Sequence, residues 1–200
     1  MRGSHLLKAG IFSLAILLFL PSCEEEVSVP RPKGYPRVYL PAHSYQSYDG
    51  AGCPYSFQYP IYGQIEKDSL FFDVYKDCWI DIYFPGFDAT IHFTYERMED
   101  SLKIFQLVSD AHELSFKHAR KAEYIDQIPI DKGDGVKGLL YDVGGDAASS
   151  VQFYLTDFDE HFMRGALYFN VSPNADSMSP MINFLKQDIE HLMTTFEWEE

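Results

Sequence analysis

Apolar residues along this chain recur at three different periods, and each period predicts its own element. From residue 9 to 20 the run AGIFSLAILLFL carries no charge, and Arg2 and Lys8 precede it with no acid between them. Twelve such residues are too few to span a bilayer, which takes about 20. A basic head before a short oily run predicts a secretory signal peptide. Residues 27–41 follow with Pro30, Pro32, Pro36 and Pro41, an extended, semi-rigid spacer. Residues 55–59 (YSFQY) alternate at period two and predict a strand, broken at Pro60 and resumed over 61–65. Residues 79–84 and 89–95 alternate likewise around Pro85-Gly86, a hairpin.

Then the period lengthens. Leu102, Phe105, Val108 and His112, flanked by Ile104, Leu107, Ala111 and Leu114, predict an amphipathic helix from residue 101 to about 122. Asp100 or Ser101 would cap it, and Lys117, His118, Arg120 and Lys121 suit its C-terminal dipole. Residues 136–143, 150–156 and 162–171 read as three more strands, the first two joined by a Gly144-Gly145-Asp146 turn. A last helix has Ser179 as its cap, Pro180 at its first position, and Ile182, Leu185, Ile189, Leu192 and Phe196 along one face. Hairpins with two long helices and no βαβ alternation predict a single α+β domain: an antiparallel β-sheet with two amphipathic helices packed on it. This order of elements resembles the fold shared by the PsbP and Mog1 proteins. The expected organisation is a signal peptide over 1–22, a lipidated N-terminus and Pro-rich tether over 23–37, and the folded domain over 38–200.

Composition sharpens the picture. Hydrophobic residues make up 46% of the 200 positions and aromatics 16%, enough for a sizeable core. Net charge is −14, and the 16 basic residues read as nowhere concentrated into a patch. That gives no footprint for nucleic acid, and the acidity argues against membrane contact through a basic patch. Leu20-Pro21-Ser22-Cys23 resembles a bacterial lipobox, with an aliphatic at −3, a small residue at −1 and the acyl-accepting thiol at +1. Cys23 is therefore the candidate lipidation site and the membrane anchor. Glu24, Glu25 and Glu26 then read either as a solvated tether head or as a sorting signal.

Candidate chemistry is sparse. Cys53 and Cys78 are the two thiols left in an oxidising compartment, and they form the candidate disulfide; free buried cysteines are the alternative. Both precede strands, and in a simple antiparallel hairpin those starts lie at opposite ends, so a bridge needs non-adjacent strands or a loop folding back. His92, His112, His118, His161 and His191 show no helical i, i+4 metal pair, and no metal or cofactor is expected. Ser149 and Ser150 follow a glycine turn without a nucleophile elbow. Phosphate loops and dinucleotide fingerprints are missing, and the reading is not an enzyme. Asp68-Ser69-Leu70, Asp100-Ser101-Leu102 and Asp176-Ser177-Met178 resemble the O-glycosylation acceptor of exported Bacteroidota proteins, and Ser69 is the best placed. Asp-Ser pairs also serve as turns and caps.

Six blocks carry a family resemblance: RPKGYPRVYLP, CPYSFQYP, DATIHFTY, DAHELSFKHARKA, GLLYDVGGDAASSVQFYLTD and HFMRGALYFNVSPNADSMSPMINFLKQDIEHLMTTFEW. Together they resemble the gliding-motility lipoprotein GldD of Bacteroidota over nearly the whole mature chain. The resemblance implies a periplasm-facing, lipid-anchored envelope protein required for gliding. Its implied partners are other gliding-motility and type IX secretion proteins. It brings no catalytic residue and no cofactor. A structural or interaction role leads. A glycan- or peptidoglycan-binding module is the alternative, drawn from Tyr35, Tyr39, Tyr45, Tyr48, Tyr55, Tyr59 and Tyr62, followed by a hydrolase at Ser149 or Ser150.

Overall fold

Two antiparallel sheets and two helices form the folded unit, seen in a computed structural model that describes residues 37–67, 78–98 and 102–199. The strands are β1 (Tyr45–Tyr48), β2 (Tyr55–Pro60), β3 (Gln64–Lys67), β4 (Ile80–Phe84) and β5 (Ala89–Arg97). After helix α1 (Leu102–Phe116) come β6 (Ala122–Asp131), β7 (Lys137–Gly145), β8 (Val151–Thr156) and β9 (His161–Phe169). Helix α2 (Ala175–Thr195) and the two-residue β10 (Glu197–Trp198) end the chain. One sheet has the order β1-β2-β10 and the other β3-β4-β5-β9-β8-β7-β6. The class is the predicted α+β, with an antiparallel arrangement and two helices.

Alternation along the strands divides the core in two. Ile82, Phe84, Phe93, Phe153, Leu155 and Leu167 point to one face of the seven-stranded sheet and pack with Phe57, Leu185, Leu192 and Phe196 from the small sheet and α2. Tyr141, Val143, Tyr154 and Phe162 point the other way and pack with Ile104 and Ala111 of α1. Gly165 makes room in the first core, because a Cβ there would stand 2.3 Å from the Phe153 ring.

Register places several loops together. Ala89 pairs with Phe169, Val151 with Leu167, Asp142 with Val151 and Ala122 with Gly145. The β4–β5 turn, the β9–α2 connection, the β7–β8 loop and the start of β6 therefore share one end of the sheet. Residues 37–41 lie against the β4–β5 turn at that same end.

Both helices depart from the expectation. Helix α1 stops at Phe116 and passes into a one-turn 3-10 helix, Lys117–Arg120, rather than running on to 122. Its buried side is Ile104, Ala111 and Ser115, while Leu102 and Phe105 stand 72% and 73% exposed. Apolar residues on two sides of the helix leave its inward face undefined by period alone. Helix α2 begins earlier than expected: Asn174 is its N-cap, accepting from Ser177 N at 3.2 Å, and Asp146 Oδ1 accepts from Ala175 N at 2.8 Å. Pro180 thus lies inside the helix, not at its first position, and Ser179 is not its cap. The predicted cap pair Asp100-Ser101 lies outside the described residues. Strands β1, β6 and β10 were not legible from alternation.

Candidate functional site

Helix α2 carries its apolar stripe at Leu185, Ile189 and Leu192, and Asp188 interrupts that stripe on the buried side. Only 1% of Asp188 is exposed, and a buried carboxylate needs donors. Three converge on it. His43 Nδ1 donates to Oδ1 at 2.6 Å, Tyr45 Oη donates to Oδ1 at 3.1 Å, and Tyr62 Oη donates to Oδ2 at 2.5 Å. Stacking fixes the donors: His43 lies on the Phe184 ring at 4.3 Å between centroids, and Tyr45 on the His191 ring at 3.5 Å. His191 Nε2 in turn meets Gln58 Oε1 at 3.0 Å.

One carboxylate on α2 therefore clips three segments: the chain before β1, β1 itself, and the β2–β3 turn. Burial, and then the neighbouring Asp188, pushes the Tyr45 phenol up to about 12. Burial and the bond to Asp188 push Tyr62 up as well. Both stay donors at neutral pH. The hydroxyls that reach this aspartate are phenols already committed to it, so the arrangement fastens chain segments together. Tyr62 also forms one wall of an open groove of about 690 Å³. Val38, Tyr39, Pro41, Phe87 and Met181 supply most of its other apolar lining, and Arg37 and Asp88 are its charged members.

The entry-end tyrosines thus divide by role. Tyr55 is fully buried, with its hydroxyl donating to the Cys78 carbonyl at 2.9 Å. Tyr48 packs on Phe57, and Tyr59 packs at the margin of the same core. Tyr39 is 87% exposed on the groove. Tyr35 lies outside the described residues.

Raised phenol pKa values set an alkaline limit. Burial, as the largest cause, lifts Tyr45, Tyr95 and Tyr141 to about 12, against an ordinary value near 10. Above pH 10 the unfolded chain sheds these protons while the folded chain keeps them. Stability is fully present below about pH 10 and falls as pH rises toward 12. Equilibrium unfolding at stepped alkaline pH, followed with phenolate absorbance, should show the midpoint falling over that window. A midpoint level through it would contradict the burial of these phenols.

The other sequence-derived positions are scattered. Cys53 and Cys78 are joined, with Cα atoms 5.5 Å apart. They sit before β2 and β4, which belong to different sheets, so the hairpin objection does not arise. Ser149 is fully buried and donates weakly to the Val151 carbonyl at 3.4 Å. No histidine or carboxylate lies within hydrogen-bond reach of Ser149 or Ser150 among the described residues. His92 Nδ1 meets Asp81 Oδ1 at 2.7 Å, His112 Nδ1 meets Tyr141 Oη at 3.4 Å, and His161 Nδ1 meets Tyr95 Oη at 2.8 Å. These pairs and His191 stand apart from one another, and the His118 side chain is outside the described set. Cys23, Glu24, Glu25, Glu26 and Ser69 also lie outside the described residues. Ser177 sits in the first turn of α2.

Sequence reasoning missed His43 and Asp188. The available signal was an acid at an inward position of the α2 stripe, three residues after Leu185 and four before Leu192.

Comparison with known proteins adds the following. The profile of a family described as "Gliding motility lipoprotein GldD" matches residues 25–198. No match is found among the curated proteins. Among solved structures, the chain is similar to the cyanobacterial PsbP protein CyanoP from Synechocystis sp. PCC 6803, in its solution structure. The TM-score is 0.45 at 10% identity, covering 80% of this chain and 95% of that one.

Proposed function

Since the chain belongs to the gliding motility lipoprotein family GldD, we propose that it is a lipid-anchored, periplasm-facing structural or interaction component that supports assembly or stability of the gliding and type IX secretion machinery. Membership itself implies a role in gliding motility and a membrane-anchored place in the envelope. The finer reading rests on how the anchored end is built. Asp188 ties His43, Tyr45 and Tyr62 to α2, so a load on the N-terminal tether passes directly into the core. Such fastening suits a component held in an assembly. The proposal assigns no catalytic residue and no cofactor.

Crosslinking in cells followed by purification tests it. The expected result is recovery of envelope motility or secretion proteins with the wild-type chain and their loss with Cys23→Ala. A chain recovered alone, in cells that glide normally without it, would overturn the reading. A second reading, glycan or peptidoglycan binding, is favoured by one observation: the Tyr39 ring is free on the groove, and aromatic faces suit sugars. Pull-down on peptidoglycan, lost with Tyr39→Ala, separates the two.

A further inference from the structure

Net charge hides a local arrangement. Lys117, Arg120 and Lys121 fall within five positions, on the 3-10 turn after α1 and the residue that follows it. All three are exposed. Arg120 and Lys121 pair with no carboxylate among the described residues, and Lys117 has only Glu113, 3.7 Å away one helical turn back. With Ala147 and Ala148 of the β7–β8 loop they line an open concavity. The expectation that basic residues are nowhere concentrated fails here.

Position gives the cluster its meaning. The pairing of Ala122 with Gly145 puts these cations at the end of the sheet where residues 37–41 join the domain. Exposed apolar side chains share that end: Tyr39, Leu40 and Val171. Two of its acids, Asp88 and Asp146, are exposed and keep their charge while accepting from neutral donors, Asn170 Nδ2 at 2.9 Å and Ala175 N at 2.8 Å. Glu123 and Asp176 remain exposed nearby.

We propose that this end of the domain docks on the membrane that holds the anchor, with Lys117, Arg120 and Lys121 against anionic phospholipid headgroups and Tyr39, Leu40 and Val171 in the interfacial layer. The inference rests on the reading that the chain is lipid-anchored at Cys23. The membrane is the occupant for a geometric reason. The tether of 14 residues from Cys23 to Arg37 reaches about 43 Å at the polyproline-II rise and at most about 50 Å. It joins the domain at the basic end, so this end samples the bilayer at high effective concentration. The overall acidity does not forbid contact. Fields from distant carboxylates are screened beyond about 8 Å at physiological salt, and each cation at an anionic surface raises the docked population about fivefold. Tyrosine at the headgroup level adds to the affinity.

Full-length lipidated protein is reconstituted on vesicles of phosphatidylcholine, or of phosphatidylcholine with phosphatidylglycerol, and followed by hydrogen exchange. The protein should float with both. Only on the phosphatidylglycerol vesicles should peptides covering 117–121 and 37–41 slow at least about fivefold, and 1 M salt should erase the difference. The triple variant Lys117→Glu, Arg120→Glu, Lys121→Glu should float yet lose the protection, with exchange in α2 unchanged as the control for folding. Equal exchange on both vesicles, with flotation intact, overturns the docking surface and leaves the anchor standing. Failure to float overturns the anchored reading, and this inference with it.

Discussion

Asp188→Ala is expected to destabilise the folded domain by about 3–5 kcal/mol, the largest effect of any single substitution considered. The substitution removes the acceptor of three hydrogen bonds. Bonds to a charged acceptor contribute about 1.5–3 kcal/mol each, and bonds that share one acceptor are not additive. It also leaves an imidazole and two phenols without a partner. The denaturant midpoint should drop with little change in m. Asp188→Asn keeps the shape and one acceptor oxygen, and should lose less. Limited proteolysis adds a local reading, since the alanine variant should be cut between residues 37 and 45 under conditions where wild type is not. A loss below about 1 kcal/mol, with no new cleavage, would show that the carboxylate is not the clip.

Breaking the Cys53–Cys78 bridge is expected to lower stability by about 3 kcal/mol, from the loop-closure entropy of a 25-residue separation. The bridge joins the approach to β2, the central strand of the small sheet, to the approach to β4, an inner strand of the large one, beside the bond from Tyr55 Oη to the Cys78 carbonyl. Cys53→Ala with Cys78→Ala should shift the unfolding midpoint, and reductant should shift wild type to a similar value. Non-reducing mass spectrometry should find both thiols blocked until reduction. Alkylation of both in the native, unreduced protein would refute the pairing.

Much of the fold was legible where one face of an element meets water and the other meets core. The β4–β5 hairpin alternates cleanly, buried at Ile80, Ile82 and Phe84, because only one of its faces is covered by α2 and the small sheet. Edge elements were not legible. Strand β6 has a neighbour on one side only, and Glu123, Asp126 and Gln127 erase its period. Strand β1 reads YQSY, with no apolar alternation at all.

The site was half legible. The tyrosine-rich start of the domain stands out in the sequence, where aromatic faces suit a sugar as well as a core. What decides Tyr45 and Tyr62 is a carboxylate more than a hundred residues later, which no local pattern predicts. Taken locally, the cations at 117–121 suit a helix dipole, and it is strand register that gives them a common end with residues 37–41.

Trp198 pairs with Tyr55, and Phe196, wholly buried, stacks on Tyr55 and Phe57. The small sheet is thus completed from opposite extremes of the sequence. During synthesis β2 emerges soon after β1 but more than a hundred residues before β10, so the aromatic side of β2 waits uncovered until Phe196 and Trp198 follow. Contacts this non-local form slowly, so closing β2 against β10 and Phe196 comes late in folding.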